Sequence, residues 1–433
     1  MVYFKFVYFC FRLKGLVNSY IEIGKTLNNE FGVEYDLTAS RIIKLPDTVK
    51  TLQLETDENE LQSLIIDCLV EALKQLNSMR EVEGENLRKD LLDKITGIEE
   101  SEACYNKAIE LAKTCDVVFA DSFGHEDFMI QAAEENPNVR FCHATGDQAH
   151  TEKLENYYNA FADIYQGRYL AGIAGGMKLK AMVDAGELKP NNYDENQNIK
   201  IGYVGAWPYA EVKSGYTSWY LGVKSVVNNV VMDVTFTNSW YSPVGEQTGA
   251  ENLIARGCAL ISQHADSMGA PNACKEANVP NVSYNGSTEA TCSGSFIVSS
   301  KINWAPYYEY VVNSAIENTK IDWDYCGTIE GGSVVLTDLG AAAVTGTQEA
   351  IDAAKAKLVS GELKVFDTSK FTVGGKTLET YKADVDDMGD FQGETEVVKD
   401  GYFHESEYRS APYFDVNIDG INNIGNVPET EQN

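Results

Sequence analysis

The sequence predicts an α/β fold with a mainly helical segment ahead of it. From about residue 101 onward, short apolar runs alternate with stretches whose apolar residues recur at helical spacing. Such alternation is typical of a parallel sheet whose strands are joined by right-handed crossovers. Polar and aromatic residues follow most of the apolar runs, as expected where ligand loops leave the carboxyl ends of parallel strands.

Composition favours binding of a small molecule over binding of nucleic acid. The 433 residues carry 65 acidic and 35 basic side chains, a formal net charge of −30. A field of that sign repels a phosphate backbone, so no nucleic-acid partner is expected for the main domain. The 24 Tyr, 17 Phe and 5 Trp are a high aromatic share, and aromatic rings often line ligand surfaces, although a plain core accounts for most of them.

No enzymatic, metal or membrane signal stands out. The nine Cys are odd in number, form no CxxC pair and are joined by only five His, so neither a metal site nor a cofactor is expected. No Ser-His-Asp order or P-loop appears, and the chain is not expected to be an enzyme. No run of 18 apolar residues occurs, so no membrane span is expected. Residues 2–12 lack a charged leader and a cleavage site, which favours a strand over a signal peptide.

The first hundred residues follow helical spacing. The predicted elements are helices over residues 16–31 and 36–40, a strand over 49–54, and helices over 61–76 and 87–98. This segment resembles the middle of the YicC-like family of bacterial endoribonucleases. The resemblance rests on Leu45-Pro46 and on the run from Met79-Arg80-Glu81 to Glu85-Asn86-Leu87. The family's opening strands and C-terminal acidic motifs have no counterpart, so an endoribonuclease-related fragment or a non-functional hybrid is the alternative interpretation of the chain.

The remainder divides into strands and helices in turn. Strands are predicted over residues 117–120, 139–143, 201–205, 232–237, 259–262, 281–284, 296–304 and 333–336. Helices are predicted over residues 103–112, 127–137, 159–180, 215–227, 246–256, 269–277, 307–317 and 348–360. Residues 365–373 are predicted as a hairpin arm, and the acidic tail to Asn433 as loops that drape over the core.

Residues 101–420 resemble the BMP family (basic membrane protein, purine-nucleoside-receptor-like) of ABC transporter substrate-binding proteins. The resemblance is carried by Ser122-Phe123-Gly124, Tyr165-Gln166-Gly167-Arg168-Tyr169-Leu170-Ala171-Gly172, Asn238-Ser239-Trp240, Gln263-His264-Ala265-Asp266-Ser267 and Asn303-Trp304-Ala305-Pro306-Tyr307-Tyr308. It implies a type I periplasmic-binding-protein-like fold with two lobes, three hinge crossings and a ligand in the cleft. The implied function is extracytoplasmic capture of a purine nucleoside or similar ligand, with an ABC transporter permease as partner.

The resemblance also divides the chain. We expect a YicC-like fragment over 1–100, a partial first lobe over 101–185, a second lobe over 195–292, a return to the first lobe and hinge over 293–360, and a C-terminal extension over 361–433. Family members begin with a strand, a ligand loop and a helix that have no match here, so the N-terminal lobe is expected to be incomplete. Residues 2–11 and 16–31 are the strand and helix that can replace them.

Four candidate ligand residues lie in the first lobe. Ser122, Phe123 and Gly124 follow the strand at residues 117–120, where glycine permits close approach of the backbone to a ligand. An ordinary βα turn is the alternative. Asp127 can accept hydrogen bonds from a base or sugar, or it can cap its own helix.

Eight more candidates lie in or near the second lobe. The resemblance implies that Asp266, Gly269, Asn285 and Lys301 hold a ribose and base, although Asn285-Gly286 also reads as a simple turn. Trp207, Trp240 and Trp304 follow strands, and any of them can stack on a purine or pack the hinge. His264, close to Asp266, is a candidate for a pH-sensitive contact or an ordinary polar loop residue.

Overall fold

The computed structural model describes residues 14–47, 66, 68–80, 102–386 and 392–427. The chain divides into two compact units, Met1–Gly97 and Ile98–Asn433. The sequence predicts this division at residue 100.

The described part of the first unit is helical. Its helices are α1 Lys14–Phe31, α2 Ala39–Ile42 and α3, which includes residues 66 and 68–80. Gly32, with a φ of +71°, follows α1 at the predicted stop. Apolar side chains on α1 remain largely exposed, with Phe31 at 70%. The predicted strands over 2–12 and 49–54 and the helix over 87–98 lie outside the described residues.

The second unit alternates strands and helices. Its helices are α4 Glu102–Ala112, α5 Glu126–Glu135, α6 Ala149–Glu152, α7 Ile164–Asp184, α8 Ala210–Val226, α9 Pro243–Ala255, α10 Gly269–Ala277, α11 Glu289–Cys292, α12 Ala305–Glu317 and α13 Thr347–Val359. Its strands are β1 Val117–Ala120, β2 Arg140–Ala144, β3 Tyr157–Ala162, β4 Ile199–Gly205, β5 Val230–Phe236, β6 Ile261–His264, β7 Asn281–Tyr284, β8 Phe296–Ile302, β9 Asp324–Gly327, β10 Val334–Leu336, β11 Lys382–Ala383, β12 Thr395–Glu396, β13 Val398–Lys399, β14 Tyr402–Phe403 and β15 Ile421–Asn426.

Two separate sheets build two lobes, which confirms the predicted fold class. The first lobe contains a four-stranded parallel sheet in the order β1-β2-β3-β9. The second lobe contains a seven-stranded sheet in the order β10-β8-β7-β6-β4-β5-β15, parallel except for β10. The chain crosses between the lobes after β3 at Asp163, after β8 at Asn303 and after β9 within residues 328–333.

The lobe boundaries differ from the sequence prediction. Residues 159–180 do not form one helix, because β3 occupies Tyr157–Ala162 and α7 begins only at Ile164. All six residues of β3 are buried, and a continuous buried run carries no periodicity to separate strand from helix. Helix α7 packs against α8 and β8, so it belongs to the second lobe and not to the first.

The predicted return to the first lobe over 293–360 is too long. Only the segment with α12 and β9, residues 305–327, joins the first lobe, where Tyr307 and Val311 pack against Cys142 and Tyr158. Strands β8 and β10 lie in the second sheet, and α13 packs on α7. The first lobe is therefore smaller than predicted.

Two glycines bring α7 and α8 into backbone contact. A Cβ on Gly172 would lie 2.2 Å from the carbonyl oxygen of Trp219, and a Cβ on Gly222 would lie 2.2 Å from that of Tyr169. Such distances exclude any side chain, so only glycine permits this close helix approach. The contact fixes α7, which begins just after the first crossing, to the second lobe.

The C-terminal extension contacts both lobes. Its strand β15 pairs in parallel with β5 of the second sheet, and Phe366 stacks on Tyr165 of α7 with ring centroids 5.4 Å apart. On the first lobe, the Ser410 backbone N–H donates to Asp324 at 2.9 Å, and Arg409 lies 3.5 Å from the Asp147 carboxylate. The predicted hairpin arm over 365–373 is wrong, because that range contributes only isolated bridges.

Candidate functional site

The candidate cleft lies where the loops after β1 and β2 face the loops after β4, β5, β6 and β7. Desolvation is the main cause that raises the pKa of Asp266 in the second lobe, and the nearby negative charges of Glu211 and Asp121 add to it. Asp121 belongs to the first lobe, directly after β1. The two carboxylates are therefore close enough to interact across the cleft.

The first-lobe loop, residues 121–125, is held in a strained conformation. Ser122 has φ +85° and ψ +130°, a region that side chains rarely adopt. Its N–H donates to Asp121 Oδ1 at 2.7 Å and to Thr145 Oγ1 at 2.9 Å. Its carbonyl lies 2.9 Å from Nε2 of the fully buried His143. Burial lowers the pKa of His143, so the neutral ring donates through Nε2.

Glu126 anchors this loop to the neighbouring strands. Glu126 is the first residue of α5 and is only 2% exposed. Its carboxylate accepts hydrogen bonds from the backbone N–H groups of Asp147 and Gln148 and from the side chains of Tyr157 and Asn159, all within 3.0 Å. The sequence prediction missed Glu126. An acidic residue in the first turn of a helix, directly after a candidate ligand loop, was the available signal.

The other first-lobe candidates lie around this anchor. Phe123 and Gly124 form a single 3₁₀ turn with His125, in which Phe123 is half-buried and Gly124 exposed. Asp127 is exposed in the first turn of α5 and accepts a hydrogen bond from the Gln148 side chain at 2.9 Å. Its contacts join two cleft loops, and the structure records no capping bond from it.

An aromatic layer covers part of the second-lobe wall. The rings of Trp207 and Tyr209 stack at 5.8 Å with 10° between their planes, and Trp240 lies 6.4 Å from Tyr209. Trp207 and Trp240 are half-buried, whereas Tyr209 is 49% exposed. Tyr209 was not among the predicted site residues, although it ends the same loop as Trp207.

A polar pair adjoins the same wall. The Asn285 side chain donates to Asp266 Oδ1 at 3.1 Å, which brings the ends of β6 and β7 together as predicted. Asn285 has φ +62°, a left-handed conformation that asparagine tolerates well. Lys301 is exposed on the next strand, β8, and its side chain forms no ion pair within the described part of the chain.

Three predicted residues are engaged in contacts within the protein. A Cβ on Gly269 would lie 2.3 Å from the Pro243 carbonyl oxygen, so this glycine serves the packing of α9 on α10. Trp304 begins α12 and packs edge-on against Phe161 of the first lobe, with ring centroids 6.5 Å apart. His264 is only 2% exposed and pairs with Glu211 at 2.6 Å. None of the three presents a free polar surface to the cleft.

One acidic group lies outside these loops. Asp384, Asp386 and Glu394 of the C-terminal extension place carboxylate oxygens within 4.8 Å of one another, the kind of group that can hold a cation. No residue of the cleft loops contributes to it. Among the described residues, no helix is long and apolar enough to cross a membrane.

Two α/β lobes joined by three crossings, with polar and aromatic loops between them, define the class of two-lobe solute-binding proteins. Residues 70–365 match the family described as ABC transporter substrate-binding protein PnrA-like. This match spans more than half of the 433 residues, and the chain belongs to that family. It begins before residue 101 and ends before residue 420, the limits that the sequence resemblance indicates.

Curated relatives include two solute-binding proteins. The chain is 29% identical over 256 residues to a putative ABC transporter glucose-binding protein of Haloferax volcanii, covering 59% of this chain and 60% of that protein. It is 29% identical over 204 residues to a purine-binding protein of Brucella abortus, covering 47% of this chain and 52% of that protein. The chain thus spans only part of the length of these relatives.

The N-terminal segment matches a different family. Residues 13–89 match the N-terminal region of the endoribonuclease YicC-like family, so residues 70–89 belong to both family matches. Over 78 residues the chain is 36% identical to a probable endoribonuclease YicC of Clostridioides difficile, which covers 18% of this chain and 27% of that protein.

Solved structures share the two-lobe fold. A solute-binding protein of an ABC transporter system from Aeropyrum pernix superposes with a TM-score of 0.52 at 14% identity, covering 62% of this chain and 82% of that one. A transcriptional activator of the comK gene from Bacillus halodurans superposes with a TM-score of 0.50 at 14% identity, covering 61% and 86%. At this identity the likeness concerns the fold alone.

Proposed function

We propose that the protein captures a purine nucleoside, or a similar ligand with a flat ring and a sugar, between its two lobes. The observation that carries the proposal is the position of the Trp207–Tyr209 stack and Trp240 on the same lobe as the Asp266–Asn285 pair. Aromatic faces stack on a planar base, and a carboxylate beside an amide accepts hydrogen bonds from a vicinal diol.

Charge supports a neutral or cationic ligand. Asp121, Asp266 and Glu211 place negative charge around the cleft, and the whole chain carries −30. A phosphorylated ligand would be repelled by this field. The purine-binding and glucose-binding relatives bear names that fit the two parts of such a ligand, the base and the sugar.

Lobe closure is the mechanism that the crossings favour. Three short connections at Asp163, Asn303 and residues 328–333 join the lobes, so a small change of backbone torsions there can bring the first-lobe loop onto the second-lobe wall. A ligand that contacts both lobes stabilises the closed form. The closed form would then be the one that an ABC transporter permease or a sensor recognises, on the extracytoplasmic side.

Calorimetry with inosine, guanosine, adenosine and glucose tests the proposal. We expect saturable heat with at least one nucleoside, and an affinity at least about tenfold weaker in Asp266→Asn, since a hydrogen bond to a charged acceptor contributes about 1.5–3 kcal/mol. Asp184→Asn is the matched control, because Asp184 forms an exposed ion pair with Lys180 at the end of α7. Absence of heat with all three nucleosides would sink the proposed ligand class.

The match of residues 13–89 supports a second candidate, ribonuclease activity of the N-terminal segment. The full chain is incubated with single-stranded RNA, with and without divalent cations. Metal-dependent cleavage that disappears on deletion of residues 1–97 supports this candidate, and intact RNA under all conditions removes it.

A further inference from the structure

Arg168 is a buried cation without a carboxylate partner. It lies in the first turns of α7, is 0% exposed and takes part in no ion pair within the described part of the chain. A buried arginine is normally paired with an acid, because an uncompensated charge is costly to remove from water. Its retention in the second lobe therefore calls for a specific role.

The guanidinium reaches four neighbouring strands at once. It donates to the Ser283 carbonyl at 3.2 Å and Ser300 Oγ at 3.4 Å through Nη1, and to Tyr203 Oη at 3.0 Å and Ser262 Oγ at 2.8 Å through Nη2. These acceptors lie on β4, β6, β7 and β8. The rings of Tyr203 and Tyr284 add cation–π contacts at 5.5 and 5.2 Å.

Three of these contact residues precede, in the same strand or the loop after it, a polar residue of the second-lobe wall. Ser300 directly precedes Lys301, Ser283 shortly precedes Asn285, and Ser262 shortly precedes Asp266. One rigid, planar group therefore ties together the strand ends that carry the three polar candidates. A fork of fixed donors suits this task better than a single flexible ammonium.

The contacts of Arg168 continue into the His264–Glu211 pair. Tyr203 Oη accepts from Arg168, so its own proton is directed to His264 Nδ1 at 3.2 Å. His264 Nε2 lies 2.6 Å from Glu211 Oε1, and the imidazole ring lies 4.3 Å from the ring of Tyr284. The network thus links Arg168 to His264 at the end of β6.

We propose that Arg168 is the positioning residue of the second-lobe wall. It fixes the ends of β6, β7 and β8 so that Asp266, Asn285 and Lys301 meet the ligand together. The effect on affinity rests on the proposed function, whereas the effect on the strand ends does not depend on any ligand.

The first test compares affinity for the best nucleoside of the panel in Arg168→Met and Arg168→Lys. We expect Arg168→Met to weaken binding at least about tenfold, and Arg168→Lys to recover part of the loss because one donor and the charge remain. Arg256→Met is the matched control, since Arg256 pairs with Asp233 in the same lobe outside the cleft loops. Thermal unfolding of each variant is recorded alongside. A folded Arg168→Met with unchanged affinity overturns the inference.

The second test uses Tyr203→Phe and remains informative if Arg168→Met fails to fold. Hydrogen exchange is followed by NMR at the backbone amides of residues 261–266 and 281–285. Tyr203→Phe removes one of the acceptors of Arg168, so we expect faster exchange of the backbone amide hydrogens at the ends of β6 and β7. Tyr220→Phe is the control, because Tyr220 is a buried tyrosine that donates to Val230 instead. Unchanged amide exchange at these strand ends overturns the inference whether or not the nucleosides bind, and failure of the unaltered protein to bind them contradicts only the proposed function.

Discussion

Glu126 in the first lobe and Glu246 in the second lobe occupy equivalent places in the fold. Each lies in the first turns of the helix that follows a sheet strand, β1 for Glu126 and β5 for Glu246. Each is almost fully buried and accepts hydrogen bonds from the backbone of the loop that follows the next strand. In both lobes a carboxylate therefore ties together two loops whose strands are consecutive in the chain, although β4 lies between β5 and β6 in the second sheet.

The two acids differ in how many partners they hold. Glu126 accepts from two side chains, Tyr157 and Asn159, in addition to backbone N–H groups. Glu246 accepts from the backbone of Ser242 and Ser267 and interacts with the Ser267 side chain, and burial raises its pKa. The first lobe thus concentrates the support of its loops in one acid, whereas the second lobe divides it between Glu246 and Arg168.

The largest expected effect comes from removing the two acids separately. Glu126→Ala leaves several buried donors without an acceptor and should lower the free energy of unfolding by about 4 kcal/mol. Glu246→Ala should cost about 2 kcal/mol, because fewer donors lose their partner. Urea unfolding of both variants measures the difference. Equal losses, or a larger loss for Glu246→Ala, would contradict the contrast between the lobes.

A somewhat smaller effect is expected at Gly146, in the loop that Glu126 holds. A Cβ there would lie 2.1 Å from Asn159 Nδ2 and 2.4 Å from Glu126 Oε1, so Gly146→Ala should cost about 3 kcal/mol through overpacking. The control is Gly294→Ala in the second lobe, where a Cβ meets no atom within 4 Å. Thermal unfolding should show a clearly lower midpoint for Gly146→Ala than for Gly294→Ala. An unchanged midpoint for Gly146→Ala would show that Glu126 and Asn159 can move to admit the extra carbon.

The C-terminal extension, which contacts both lobes, contains a third buried acid, Glu405. Burial raises its pKa to about 8 from 4.5, and the charge of Asp163 at the first crossing adds to this. Because the pKa is raised in the folded state, stability is fully present below about pH 4.5 and is lost as the pH rises through 8. Glu405→Gln stays neutral, so its free energy of unfolding should exceed that of the unaltered protein at pH 9.

Unfolding curves at pH 5 and pH 9 measure this effect. The difference between Glu405→Gln and the unaltered protein should be much smaller at pH 5, where Glu405 is largely protonated in the folded protein. Glu362→Gln, an exposed carboxylate in the same extension, serves as the control. A difference that does not change with pH would contradict the raised pKa.

The smallest expected effects come from the backbone torsions of Ser122 and Asn285, in the two facing loops. Ser122 adopts φ +85°, where a side chain is strained, so Ser122→Gly should raise the free energy of unfolding by about 0.5–1 kcal/mol. Asn285 adopts φ +62°, which asparagine tolerates, and Asn285→Gly should change stability by less than about 0.5 kcal/mol. If Ser122→Gly proves destabilising, the hydrogen bonds of that loop matter more than its strain.

The sequence predicts local structure well where an apolar run is bounded by turn-forming residues. Val117–Ala120 and Asn281–Tyr284 are strands with the predicted bounds, and Gly269–Ala277 is the predicted helix. It failed at Tyr157–Ala162, because a strand buried on both faces lacks alternation. It also placed α7 in the wrong lobe, since the helix contacts that decide this are not visible in a linear pattern.

The candidate site was predictable only where strand order brings residues together. Asp266 and Asn285 follow adjacent parallel strands, so their proximity could be anticipated. The contacts of Arg168 could not be anticipated, because its partners lie far away in sequence: Arg168 lies within hydrogen-bonding distance of Ser300, 132 residues further on. The family resemblance implied a ligand role for Gly269, whose missing side chain serves the packing of α9 on α10.

The pairing of β15 with β5 has a consequence for how the protein is made. On a ribosome, β5 emerges long before Ile421–Asn426, the strand that covers its outer edge. Until then the nascent second sheet presents an open edge that any other extended chain can join. We therefore expect nascent or truncated chains that lack residues 421–426 to depend on chaperones and to aggregate. Strand β15, the last strand in the order of this sheet, thus covers the edge of β5 only after residues 421–426 have been made.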